Sequence, residues 1–541
     1  MIQGFFGPVV DAALNVLTFG VLSLPQISVF LLFAIGIVVI YRASRVLNLA
    51  HGVMAMVPAY VYYTLSSPNV HVKLIENVID LTIRTPLLAP PLAALIAVAA
   101  GALLGMVTER FVVRRLRAQG PTAQTVGTVA VFGLGIALVA KMYGAESAIT
   151  TPLFPPGLHP TGSESITIPF SQLGLGLRYA QVYVFAIGIA VTGGLFALFR
   201  FTPIGLAMRG AADNRQGAML MGVNVERTTM TAWAMGGGLA GLAGVLVGSI
   251  TSIHPFNLSL QVLPAFVAVL IGGLESLPGA VWGAAVVGIV QGEVPALSLL
   301  PVIGPFANSA GFSQLVLMVV TFATMLARSS RLAGARVRAE ILGAAAAVTG
   351  GLGKRPRYAG WIALVVALAI AVFPFIPPEV VPFSYKQDMV VAASYLMAAL
   401  SVVLLTGWVG QISLAQAEFV GIGAFFTAVV TNQFHVSFPA SFVLAALAGA
   451  AVAGALGIVA LRVRGLYLAV ATLVFAWMAD KFLFSASWFG IVGGSATIPP
   501  VAIGSPGTIP FLDFTDIKVL YLAFASVAAG MIYGLANLRE S

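Results

Sequence analysis

Arg200-Phe-Thr-Pro-Ile-Gly-Leu-Ala-Met-Arg-Gly-Ala-Ala-Asp-Asn-Arg-Gln-Gly-Ala-Met-Leu-Met-Gly-Val-Asn-Val-Glu-Arg227 is a polar island between apolar runs, too polar to span a bilayer. Thr202 suits an N-cap, Pro203 fits the first helical position, and Gly222 can close the last turn in a left-handed cap. Those signals predict one short helix of about five turns. Arg209, Asp213 and Gln216 fall at i, i+4 and i+7 on it and make one polar stripe, with Gly205 and Arg215 on the same segment. The plain alternative is a solvated loop that joins two spans. The capping and the stripe favour a helix built to dock on something.

Composition fixes the class around this island. The chain is 59% hydrophobic and 8% charged, with a mean hydropathy of +1.01, whereas a soluble domain carries about a quarter charged residues. Apolar runs of roughly 20 residues predict an all-α polytopic membrane protein and argue against a β-barrel, whose strands alternate over about 10 residues. The 58 glycines and 30 prolines suit close packing and kinks in a membrane bundle. With no cysteine there are no disulfides and no thiolate metal sites. The net charge of +9 is not a nucleic-acid signal, because the basic residues sit where membrane topology wants them.

Met1–Leu24 carries no Lys or Arg, so it is no secretory signal, and it reads as a short external or interfacial segment. Spans follow near 26–41, 48–64, 87–108, 124–142, 180–199, 229–251, 260–273, 277–296 and 312–327. The 260–273 piece is short and meets its successor at Gly272-Gly-Leu-Glu-Ser-Leu-Pro-Gly279, so that pair reads as broken or re-entrant. A basic linker, 328–357, separates this first domain (1–327) from a second (358–541), with spans near 359–377, 389–406, 412–430, 439–461, 467–484 and 519–537. The total is fourteen or fifteen membrane helices. Placing Arg200–Arg227 in the cytoplasm puts 20 of the 27 basic residues inside by alternation alone, as the positive-inside rule requires. The loops left outside, about 65–86, 143–178 and 485–518, are rich in Pro, Ser, Thr and Gly and read as an extracytoplasmic receiving surface.

The two domains repeat one another. Asn-Leu-Ala-His-Gly (48–52) aligns with Ser-Leu-Ala-Gln-Ala (413–417), and more weakly Leu116, Arg117 and Gly120 align with Leu461, Arg462 and Gly465. Both matches precede outward-running spans. The halves are therefore parallel, not inverted, which implies a pathway between them.

Four stretches of the first domain resemble the first permease subunit (LivH) of branched-chain amino-acid ATP-binding-cassette importers. They are Tyr41–Tyr60, Thr108–Arg117, Thr202–Asn224 and Leu270–Gly279. Leu405–Ala424 and Arg464–Leu473 resemble the second subunit (LivM), so the chain looks like both permeases fused. The resemblance implies a bilayer-embedded importer of the plasma membrane, fed by an extracytoplasmic amino-acid-binding protein and driven by two cytoplasmic ATPase subunits. It also implies that Arg200–Arg227 is the coupling helix those ATPases grip. The chain has no G-x-x-x-x-G-K-[ST] of its own and so needs such a partner to pump. Two departures stand out. The second domain stops at Ser541, where the family continues into its own coupling helix, so the sequence predicts a C-terminally incomplete second domain. Gln416 and Glu418 stand where the family more often has His and a small residue.

Pathway candidates follow from cost. A carboxylate near mid-membrane costs about 2.5–3.5 kcal/mol on insertion scales, so Glu418 should face protein or water. Asn48 and His51 begin the matching span of the first domain, with Gln416 opposite His51 in the repeat. For His51 the competing reading is a packing residue bonded to a backbone carbonyl. No nucleophile, metal cluster or acid–base pair is present, so the chain reads as a transporter with no catalytic site and no cofactor. Urea or short amides are the alternative substrates. A secondary transporter or channel should show more ionisable residues along its spans.

Overall fold

The computed structural model describes residues 2–75, 79–154, 165–171, 174–298, 304–332, 383–408, 411–436, 438–460, 466–485, 521–522 and 525–532, with 372 and 375–376. It divides into two compact units, Met1–Thr321 and Phe322–Ser541. Nine helices among the described residues are long and apolar enough to cross a membrane, and Phe312–Ala327 and Gln416–Thr431 are shorter apolar helices. The chain is an all-α multi-pass membrane protein.

The first unit is organised around helix α1 (Ile2–Ser44). Its stretch from Val29 to Ile40 is buried on every side, by α5 (Tyr179–Phe201), α8 (Val225–Ile250), α10 (Val262–Gly272) and α11 (Leu277–Leu297). Of Met1–Leu24, expected as a separate external segment, residues Ile2–Leu24 are instead the beginning of this helix. The physical reason is that its apolar run reaches the next span with only Pro25 between, and one proline kinks a membrane helix without ending it. The next layer holds α2 (His51–Ser66), α3 (Pro90–Thr108) and α4 (Pro121–Tyr143), with α2 and α3 packed on α8 and α2 also on α4. Outward faces are apolar: Leu95, Leu103, Leu134, Leu138, Ile189 and Trp282 are all exposed, as a lipid-facing surface requires.

Helices approach closely where glycines face one another, since lipid offers no hydrophobic drive and packing must supply the attraction. A methyl group on Gly101 of α3 would lie 2.6 Å from the Gly237 carbonyl oxygen of α8. Gly244 meets the Ala55 carbonyl, and Gly283 meets that of Ala268, in the same way. The short 260–273 span is broken at Gln261 into α9 (Pro255–Leu260) and α10. The pair crosses the unit in two steps, from the Ala148–Ile253 bridge at one end to Glu275 at the other. The loops read as extracytoplasmic carry two small hairpins, β1 (Val70–Ile75) with β2 (Ile79–Ile83) and β3 (Ser165–Thr167) with β4 (Gly176–Arg178).

In the second unit the described helices are Phe383–Val403, Gln416–Phe434, Phe438–Ala460 and Leu466–Met478, and residues 525–532 are helical. The basic linker beyond Leu332, nearly all of the span near 359–377, the Arg462–Gly465 motif and the loop from 486 to 518 lie outside the described residues.

The repeat extends to atomic contacts. In the first unit the Leu49 N–H donates to Thr128 Oγ1 at 3.0 Å, and that hydroxyl donates to the Thr125 carbonyl at 2.7 Å. In the second the Leu414 N–H donates to Thr472 Oγ1 at 2.9 Å, and that hydroxyl donates to the Ala469 carbonyl at 2.9 Å. The helices beyond these contacts start in register, at His51 and Gln416. Carrying the weaker sequence match forward pairs Thr128 with Leu473, so the contact corrects that alignment by one residue.

Gly101→Val is expected to force α3 off α8, at an overpacking cost of about 1–3 kcal/mol. A lowered unfolding temperature in detergent, beside an unchanged one for Gly133→Ala, where nothing lies within 4 Å, checks it.

Candidate functional site

The polar island folds as two helices, α6 (Pro203–Asp213) and α7 (Arg215–Leu220), where the sequence pattern predicts one. The Thr202 hydroxyl caps α6 by accepting from the Gly205 N–H at 3.2 Å, and Pro203 occupies its first turn. The interruption is Asn214, whose extended backbone ends α6 while its side chain accepts from the Gly217 N–H at 2.9 Å and caps α7. An Asn side chain competes with the helix for backbone hydrogen bonds, and here it wins. Gly222 closes α7 at φ +83°, with Val223 N–H donating to the Ala218 carbonyl and Gly222 N–H to that of Met219, a complete Schellman cap.

Gly205 presses on the end of α5, where a methyl group would meet the Leu198 carbonyl oxygen at 2.6 Å. Ala211, Ala218 and Val225 form a small core under the island. The break separates the expected stripe. Arg209 is half-buried beside Arg42 in a small cleft between α1, α5 and α6, while Asp213 and Gln216 are exposed on either side of Asn214. The outward face is more apolar than the stripe implies, with Leu220 88% and Met221 84% exposed and Leu206 open beside them.

Charges from four parts of the sequence converge beside the island. A π-helical turn, Glu109–Val113, ends α3 and buries Glu109 completely. Glu109 binds Arg114 at 2.7 Å and Arg117 at 3.5 Å, and both arginines also reach Glu226 in the first turn of α8, at 3.1 and 3.7 Å. The Glu109 hydrogen bonds hold the Arg114 pKa above its ordinary value. Arg215 of α7 is drawn the other way, its pKa lowered by burial and by the neighbouring Arg117. On the far side Arg45 pairs with Glu275 and donates to the Ala212 carbonyl of α6 at 3.1 Å. Sequence reasoning does not single out Arg45, Glu109 or Glu226. The charges of Glu109 and the arginines are visible in Thr108–Arg117, but Glu226 lies over a hundred residues away.

The pathway candidates stand at equivalent places in the two units. Asn48 and His51 are fully buried, His51 against Gly36 of α1 and edge-on to the Phe33 ring at 6.1 Å. Asn48 Nδ2 donates to Met54 Sδ at 3.3 Å, while Asn48 Oδ1 lacks a hydrogen-bond partner; the His51 ring faces the Phe33 backbone, the contact that the packing reading expects. In the second unit Gln416 accepts from Ser401 at 2.9 Å, and Ser401 stands fifteen residues before it, as Gly36 stands before His51. Glu418 Oε2 is buried without a partner. No group of three or more metal-ligating residues occurs among the described residues.

The family model for the branched-chain amino acid transport system permease component matches residues 21–327 and again 386–535. The chain belongs to this permease family. Its second match shows that the family unit occurs twice here. The probable LivH permease of Methanocaldococcus jannaschii is 26% identical over 305 residues, 55% of this chain and 86% of the relative. The LivH permease of Salmonella typhimurium is 24% identical over 301 residues, 55% and 90%. The BraD permease of Pseudomonas aeruginosa is 27% identical over 273 residues, 49% and 81%. No solved structure matches the chain. The permease is a transport component and not itself an enzyme.

Thr128→Val and Thr472→Val are each expected to destabilise their unit, by about 1–3 kcal/mol, because each leaves unpaired an N–H that is buried at Leu49 and half-buried at Leu414. Thermal unfolding of the two single variants checks both contacts.

Proposed function

We propose that this permease is the membrane component of an ATP-binding-cassette importer for branched-chain or related hydrophobic amino acids, seated in the plasma membrane. The island α6–α7 carries the proposal. It is capped at both ends and at its break, clamped by Gly205 and the Ala211–Ala218–Val225 core, and yet presents Leu206, Leu220 and Met221 outward. Apolar residues held rigidly in water mark a surface meant for a protein partner. Arg215, half-buried beside Arg117 and attracted by Glu226 and Glu109, adds positive charge at the edge of this surface. The partner is a cytoplasmic ATPase subunit, whose closure on nucleotide would push on α6 and α7. Thr202, Pro203, Gly205, Asp213, Asn214 and Gly222 shape the docking piece, and Arg209 anchors it beside Arg42.

Uptake begins at the opposite end, where a substrate-loaded amino-acid-binding protein would meet the hairpin-bearing loops. Asn48, His51, Gln416 and Glu418 are the pathway candidates. Unpaired buried atoms on Asn48 and Glu418 support this reading, since an unsatisfied polar group costs about 1–3 kcal/mol and persists where function needs it. The relatives' names favour branched-chain amino acids over urea or short amides.

The native chain has no cysteine, so single cysteines report contacts cleanly. Gln216→Cys is expected to crosslink to its ATPase in the assembled transporter and Ile189→Cys is not. Charge reversal of Arg209 and Asp213 together is expected to abolish the stimulation of ATP hydrolysis by loaded binding protein while the protein still inserts. Normal stimulation in that double variant would sink the docking assignment. Competition of labelled leucine uptake by valine but not urea distinguishes the substrates.

A further inference from the structure

Arg45 occupies a position that neither packing nor docking alone explains. It ends α1 with a left-handed backbone, φ 58°, a conformation that L side chains adopt rarely and at a cost in free energy. Its N–H still donates to the Tyr41 carbonyl at 2.7 Å, so the helix is closed by the same residue that turns the chain. The turn lays the guanidinium over the Tyr41 ring of α1, 5.8 Å from its centroid, where it also meets two other elements. One is Glu275, in the Gly272–Gly279 turn between α10 and α11. The other is the Ala212 carbonyl, in the last turn of α6. The final carbonyls of a helix have no partner within it and carry partial negative charge, so a guanidinium there is a favourable external cap. The break in the docking segment is thus capped from both sides. Asn214 caps the start of α7, and Arg45, from 167 residues away in sequence, caps the end of α6.

The chain immediately after Arg45 gives the contact its consequence. Residues 46–50 form a non-helical strap, buried throughout, that leads directly to His51. Its far end is held by Thr128, which accepts from the Leu49 N–H and lies 3.3 Å from the Leu47 carbonyl. Asn48, with its unpartnered Oδ1, lies in this strap. A strap fixed at both ends, with no slack and no solvent around it, moves when one anchor moves.

We propose that Arg45 is the positioning residue that couples the docking segment to the strap, so that displacement of α6 is delivered to Asn48 and His51, with Glu275 holding the guanidinium in aim. This rests on α6–α7 being the ATPase docking segment. Arg45 touches neither ATP nor substrate; it acts through the Ala212 carbonyl and the 46–50 strap.

The test uses the full chain assembled with its ATPase subunits and binding protein in liposomes, each variant combined with Gln216→Cys. Arg45→Gly removes the guanidinium while accepting the left-handed backbone without strain, and Arg45→Lys keeps the charge but offers one ammonium where two contacts are made. Substrate imported per ATP hydrolysed is expected to fall about tenfold in Arg45→Gly and less in Arg45→Lys, in the usual range of a coupling free energy. Crosslinking of Gln216→Cys to the ATPase should persist in both. The exchange Arg45→Glu with Glu275→Arg restores an ion pair, but a carboxylate cannot donate to the Ala212 carbonyl. It is expected to recover the unfolding temperature and not the transport ratio. Full transport per ATP in Arg45→Gly with the crosslink intact overturns the inference and leaves the docking reading standing, as does full recovery by the exchange. Loss of the crosslink in the parent Gln216→Cys chain overturns the docking reading and this inference with it.

Discussion

A threonine hydroxyl buried between helices fixes the geometry on which the rest of each unit depends. Where α1 gives way to α2 the backbone leaves the helix inside an apolar bundle, and in lipid such a break is tolerated only if protein groups satisfy the freed polar atoms. Thr128 does this for Leu49, and Thr472 does it for Leu414. The break could not sit elsewhere without losing its partner. It therefore sets the start of the next helix, and with it the depth at which Asn48, His51, Gln416 and Glu418 lie.

Much of the fold is legible in the sequence because membrane helices announce themselves by length and apolarity, and apart from the first, which begins far earlier than read, the spans that fall on described residues match helices within a few residues. The charge sorting has structural support within the first unit. Arg45, Arg114, Arg117 and the polar island, assigned to one side by alternation, do meet at one end. The ends of elements are harder. Nothing local distinguishes Met1–Leu24 from an interfacial segment, because what joins it to α1 is the mere absence of a stop. Thr202, Pro203 and Gly222 mark the two ends of the polar island, but the break at Asn214 has no comparable signal. In isolation a single Asn is a weak breaker. It becomes a decisive one when Arg45 stands ready to receive the carbonyl end of the first piece.

The site is less legible than the fold for a related reason. Its chemistry is made of pairs distant in sequence: Arg114 with Glu226, Arg45 with Glu275 and with Ala212. One-dimensional reading finds the charged residues and cannot see which of them meet. It also overstates polar stripes, since a charge at a helical spacing can turn inward, as Arg209 does toward Arg42. The exposed apolar tip at Leu220 and Met221 is hidden in a segment that draws notice for its polarity.

The break in the polar island has a mechanical meaning on the proposed docking reading. A continuous five-turn helix lying on a partner would rotate as one rod, and its ends would sweep the most. Two short helices joined at a doubly capped residue divide the work. Helix α7 carries the exposed Leu220 and leads to the exposed Met221, while α6 is held by Gly205 against α5 and by Arg45 at its carbonyl end. The two pieces nonetheless share the Ala211–Ala218–Val225 core, so the outward-facing α7 and the bundle-held α6 stay one capped unit and not two independent bodies. On the proposed docking reading a displacement of α7 would therefore reach α6 and, through the Arg45 contact with the Ala212 carbonyl, the strap before α2.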